Sequence, residues 1–89
     1  MVVTEQAVNN SVATGDWVSK PAVPATGVDA QNTSGYAMFV EITGAGVTSV
    51  AVDGVTVGGR TSGMFYVRNN SKIRWVGSSA PTWQWFYAL

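Results

Sequence analysis

Between Val47 and Val57 the chain runs Val-Thr-Ser-Val-Ala-Val, then Asp53-Gly54, then Val-Thr-Val. This stretch constrains the fold more than any other. β-Branched residues lose rotamer freedom in a helix and fit a pleated strand. An Asp-Gly pair between two valine-rich runs predicts a two-residue type I′ hairpin. Both turn positions of that hairpin need positive φ, which glycine adopts freely and aspartate tolerates. The centre of the chain is therefore an antiparallel pair of strands.

The flanking sequence repeats the pattern. Tyr36 to Ile42 (YAMFVEI) is a strand of strong β-formers, and Met64 to Arg68 (MFYVR) is another. Lys72 to Val76 alternates, with Ile73 and Trp75 inward and Lys72 and Arg74 outward. Val28, Ala30 and Asn32 supply a first strand ending at the turn Asn32–Gly35, and Trp83 to Tyr87 supplies the last. Glycine-rich or polar loops separate them at Thr43–Gly46, Gly58–Gly63, Asn69–Ser71 and Gly77–Pro81. The expectation is an all-β domain: a small antiparallel β-sandwich or barrel of about six to seven short strands, strung as a meander from residue 36.

The first part of the chain reads differently. In residues 1–20 the apolar positions Val3, Ala7, Val8 and Val12 are scattered among polar ones, and Gly15-Asp16 breaks any regular element. A weak helix near residues 4–8 is the only local preference. Trp17 and Val18 stand out as apolar anchors. We read 1–20 as an extended docking arm and 21–89 as the β-sandwich domain. Lys20 to Ala25, with Pro21 and Pro24, is an extended linker between them.

Composition narrows the function. The chain has 89 residues, no cysteine and no histidine. Disulfides, thiolate or imidazole metal sites and the common nucleophile–base pairs are therefore out of reach, and no cofactor is expected. The acids Glu5, Asp16, Asp29, Glu41 and Asp53 are spread along the sequence, and a hydrolytic pair such as Asp29 with Glu41 is disfavoured. No glycine run has phosphate-loop spacing. The chain does not read as an enzyme. Net charge is zero, and Arg68, Lys72 and Arg74 form the densest basic group, too sparse for nucleic acid. No stretch reaches the ~20 apolar residues of a membrane span. Met1–Glu5 lacks the basic start of a signal peptide, so synthesis in a cytoplasm is expected.

A chain that is 46% hydrophobic and only 11% charged is a poor free monomer. A domain this small usually gains stability from oligomerisation or from docking on a larger body. The last nine residues, Pro81-Thr82-Trp83-Gln84-Trp85-Phe86-Tyr87-Ala88-Leu89, point the same way. Aromatic residues on both faces of a strand imply a core on one side and a partner on the other. We take Trp83 and Trp85 to pack on Ile73, Trp75 and the valine hairpin. Candidate interface residues are Trp17, Val18, Trp83, Trp85, Phe86, Tyr87 and Leu89. An alternative use of Tyr66, Trp75, Trp83, Trp85 and Tyr87 is a sugar-stacking platform.

From Pro21 onward the sequence resembles a short β-domain of tailed-bacteriophage virion proteins. The likeness is carried by Pro21-Ala22-Val23-Pro24, Asn32-Thr33-Ser34-Gly35, the Val47–Gly58 hairpin, Ser62-Gly63, Ile73-Arg74-Trp75 and Ala80-Pro81-Thr82-Trp83-Gln84-Trp85. It departs at Ala45-Gly46 and Asn69-Asn70-Ser71, where glycine-richer turns are expected, and at the added Phe86-Tyr87-Ala88-Leu89. The resemblance implies a head-decoration or minor capsid protein, forming a homotrimer and bound to the major capsid protein on the outer surface of the virion. A tail-fibre or adsorption module binding host-surface glycans, and a small non-viral carbohydrate-binding domain, are the alternatives.

Overall fold

A computed structural model describes residues 16–88. These fold into seven strands: β1 Ala30–Gln31, β2 Met38–Thr43, β3 Val47–Val52, β4 Val55–Thr56, β5 Gly63–Val67, β6 Lys72–Gly77 and β7 Thr82–Tyr87. They make two antiparallel sheets, a three-stranded sheet ordered β5-β2-β7 and a four-stranded sheet ordered β1-β6-β3-β4. The all-β sandwich expected from the alternation is the fold found.

The connectivity is not a meander. Only β3 and β4 are neighbours both in sequence and in a sheet; every other connection crosses from one sheet to the other. β2 pairs with β5 and β3 with β6, the interlocked arrangement of a Greek-key sandwich. Alternation fixes which residues face inward but not which strand lies alongside. Met38, Val40 and Ile42 of β2 must cover Val50, Ile73 and Trp75, so consecutive strands belong to opposite layers. Met38, Val40 and Ile42 lie in the three-stranded sheet and Val50, Ile73 and Trp75 in the four-stranded one, and none of the six is more than 3% exposed.

The Val47–Val57 hairpin forms as expected. Asp53 and Gly54 both have positive φ, 53° and 79°. The turn is tied to β6 as well: the Asp53 N–H donates to the Lys72 carbonyl, and the Lys72 N–H donates to Asp53 Oδ1, each at 2.8–2.9 Å. That second bond, then one from Ser71, holds the Asp53 carboxyl below its ordinary range. The contact is therefore present at neutral pH and is lost as pH falls through the lowered value. Gly54→Val is expected to destabilise the domain by roughly 1 kcal/mol or more, because a β-branched residue resists positive φ. An unchanged melting temperature would show that the turn tolerates a side chain.

Residues 16–27 form a strap between the layers. Asp16 bridges Phe86 in antiparallel fashion, and the Trp17 N–H donates to the Trp85 carbonyl at 2.8 Å, so the strap starts on the free edge of β7. The indole N–H of Trp83 holds the Pro21 carbonyl at 3.0 Å, and that of Trp75 holds the Pro24 carbonyl at 2.9 Å. The strap then reaches the other sheet, where the Gly27 N–H donates to the Trp75 carbonyl at 2.9 Å. Prolines suit this path because their extended backbone offers carbonyls and asks for no N–H partner. Residues 16–20, expected in the arm, are thus attached to the sandwich. The expected helix at 4–8 and the rest of the arm lie outside the described residues.

Candidate assembly surface

The outer faces of the two sheets differ in chemistry. On the four-stranded sheet β6 presents Lys72 and Arg74, with Arg74 3.9 Å from Asp29, and its neighbours present Gln31, Thr48 and Thr56. That face is an ordinary solvated one apart from Val76, although Val55 at the β4 edge is also exposed. On the three-stranded sheet, register aligns Phe86, Phe39 and Tyr66 in one row across β7, β2 and β5. The next row is Gln84, Glu41 and Met64, and the one after it pairs Thr82 with Thr43. Phe39 is 38% exposed, Met64 42% and Tyr66 53%, while Phe86 is half-buried. The Phe39 and Tyr66 rings touch, with centroids 5.5 Å apart. This row is the candidate contact surface of the domain.

The surface extends around β7. Trp17 and Lys20 close a tight turn, with the Lys20 N–H on the Trp17 carbonyl at 3.1 Å. Val18 projects from it at 88% exposure. Between this turn and β7 lies an open groove of about 440 Å³, bounded by Val18, Lys20, Pro21, Pro81, Thr82 and Gln84.

The candidate interface residues separate into three groups. Trp83 and Trp85 are core residues, 4% and 0% exposed, and share one cluster with Ile73 and Trp75. The packing expectation for their face is met, and within the single chain both are buried, Trp83 beneath the groove described above. The Trp17 ring is half-buried and sits 5.5 Å from that of Trp85, at 66°. Val18 and Phe86 remain available, and Tyr87 is half-buried with its ring 5.7 Å from Tyr36. Burial pushes the Tyr87 phenol up, with a further push from Tyr36, which keeps it neutral. Leu89 lies outside the described residues.

Sequence reading missed Phe39 and Met64. Each sits in a strand of strong β-formers, and its outward parity is signalled only by polar residues on the same side, Glu41 for Phe39 and Arg68 for Met64. The sugar-stacking platform loses Trp75, Trp83 and Trp85 to the core. Of its five rings only Tyr66, exposed on β5, and the half-buried Tyr87 on β7 remain; the exposed neighbours Phe39 and Tyr66 are tilted by 59° and offer no flat platform.

The acids do not gather. Glu41 lies on the outer face of the three-stranded sheet and Asp29 beside the outer face of the other, so the two share no site. Among the described residues no group of three or more acids could hold a metal, and no helix is long and apolar enough to cross a membrane.

Comparison with protein-family models, with curated proteins and with solved structures finds no match to this chain. The functional reading therefore rests on the chain's own residues and geometry.

Proposed function

We propose that this protein is a structural component of a bacteriophage virion. In this reading it is a decoration or minor capsid protein that binds the major capsid protein on the outer surface of the head, as a homo-oligomer. One observation supports the reading above the others. The outer face of the three-stranded sheet is aromatic where a solvated sheet is polar, and Phe39, Met64 and Tyr66 need a cover that residues 16–88 do not provide. The near-absence of charge and the resemblance from Pro21 onward agree with it. So does the shape of the domain, which places the aromatic face and the Val18 groove on the same three-stranded sheet. Many weak contacts repeated on a symmetric shell hold such a protein by avidity. The glycan-binding reading is weaker here, because three of its five rings are buried.

Tyr66→Asp tests the reading. The residue is exposed, so the fold is expected to survive. A carboxylate carried into an apolar contact is expected to weaken co-sedimentation with undecorated heads by roughly tenfold or more. A variant that keeps its melting temperature and binds heads as well as the parent removes this face from the reading.

A further inference from the structure

We infer that the aromatic face seats residues 1–15 of a second copy of this chain. The inference deepens the assembly reading above, by naming what covers that face between copies.

The antiparallel bridge between Asp16 and Phe86 fixes the direction of the chain at Asp16. Toward lower numbers it points past Tyr87 and Ala88 and off the end of the three-stranded sheet. At Asp16 the chain is level with the Phe86–Phe39–Tyr66 row, at the free edge of β7. Residues 1–15 span up to about 50 Å when extended, at ~3.3–3.6 Å per residue. The face they would cover is only about 15 Å wide, three strands at ~4.8 Å spacing.

Area favours this occupant over direct apposition of two faces. Two such faces, each of about 300 Å², bury far less than the ~1,200–2,000 Å² of a stable interface. An exchanged arm adds its own length to the contact. Its chemistry suits the seat: Val2, Val3, Ala7, Val8 and Val12 are apolar, and Glu5 is its one charged side chain. Arg68 stands next to Tyr66 in the outward series of β5 and complements Glu5 at that end of the face, away from Glu41 in the neighbouring row. An arm on one side and a seat on the other make a head-to-tail contact. Contacts of that type give rings where the rotation closes and filaments where it does not, whereas two identical faces give only pairs.

The absence of cysteine makes the test direct. In full-length chains, Val3, Val8 and Val12 are replaced one at a time by cysteine. A second population carries Tyr66→Cys, and a control carries Thr56→Cys on the opposite sheet. Mixed and oxidised, at least one arm variant is expected to form a disulfide with Tyr66→Cys roughly ten times more than with Thr56→Cys. No excess over the control for any arm position overturns the inference. So does efficient closure within one chain, in a double variant, at a rate independent of concentration. Heads play no part in this experiment. Cross-linking without head binding would sink the capsid reading alone, and head binding without cross-linking would sink the arm exchange alone.

Discussion

Trp85→Ala is expected to unfold most of the protein at room temperature. Trp85 is 0% exposed and lies at the junction of the core and the strap. Its ring meets Trp83 and Trp17, each with centroids 5.5 Å apart. Removing a buried tryptophan costs ~3–5 kcal/mol. Small domains possess little more than that, since total stabilities are about 5–15 kcal/mol and the lower end belongs to chains of this size. The loss does not stop at the cavity. Trp17 would keep its backbone bond to Trp85 but lose the ring it packs on, so the start of the strap would loosen as well. Trp85→Phe provides the contrast. The Trp85 indole N–H has no hydrogen-bond partner among the described residues, so phenylalanine forfeits volume without breaking a polar contact. A urea titration should place the phenylalanine variant well above the alanine variant. An alanine variant that melts within a few degrees of the parent would mean that this ring is not a keystone of the core.

The strands were legible because their signals are local. The Val47–Val57 hairpin, the inward pair Ile73 and Trp75, and the breaks at glycine and asparagine all depend on residues within a few positions of each other. Pairing was not legible. Nothing within Met38–Thr43 states that β5 and β7 will flank it, and the choice is made by which layer must cover Val50 and Trp75. The extended path of the strap was legible, but its attachment to the sandwich was not, for a related reason. Pro21 and Pro24 signal an extended path, but the acceptors they offer find donors in Trp83 and Trp75, 62 and 51 residues away. A long-range hydrogen bond from an indole leaves no trace in local pattern.

The candidate surface shows the same division. Aromatic residues on both faces of the last strand did place an aromatic side chain, Phe86, on the outer face of the sheet. The strongest aromatic signal, Trp83 and Trp85, nevertheless marked the core, because tryptophan is the largest filler available to a small sandwich. The exposed ring pair is Phe39 and Tyr66. Their outward parity is marked only by the polar residues that share it, Glu41 and Thr43 with Phe39 and Arg68 with Tyr66. Only register, which sets Phe39 opposite both Phe86 and Tyr66, gathers them into one row.

Asn32 carries the other large expected effect. It is the only buried polar residue among those described, at 0% exposure, and it joins the two sheets at the end of β1. Its side-chain amide donates to the carbonyls of Tyr36 at 2.7 Å, Val67 at 3.0 Å and Arg68 at 3.1 Å. Its Oδ1 accepts from the N–H and the hydroxyl of Ser34. Asn32→Leu keeps the volume and strands these groups, at a cost of about 2–4 kcal/mol. Asn32→Asp is expected to be worse at neutral pH. A carboxylate has no N–H for the three carbonyls, and burial opposes its charge. The sign of its pH dependence follows. Burial raises the folded-state pKa of that carboxyl above the unfolded value, so the folded state binds the proton more tightly. Stability of the Asn32→Asp variant, measured against Asn32→Leu, should therefore rise as pH falls through the raised pKa and level off below the unfolded one. The parent's Asp53 shows the opposite dependence, since its folded pKa is lowered. Denaturant midpoints of the two variants across acidic pH would decide the matter, and parallel curves would mean that residue 32 is hydrated and ties nothing together.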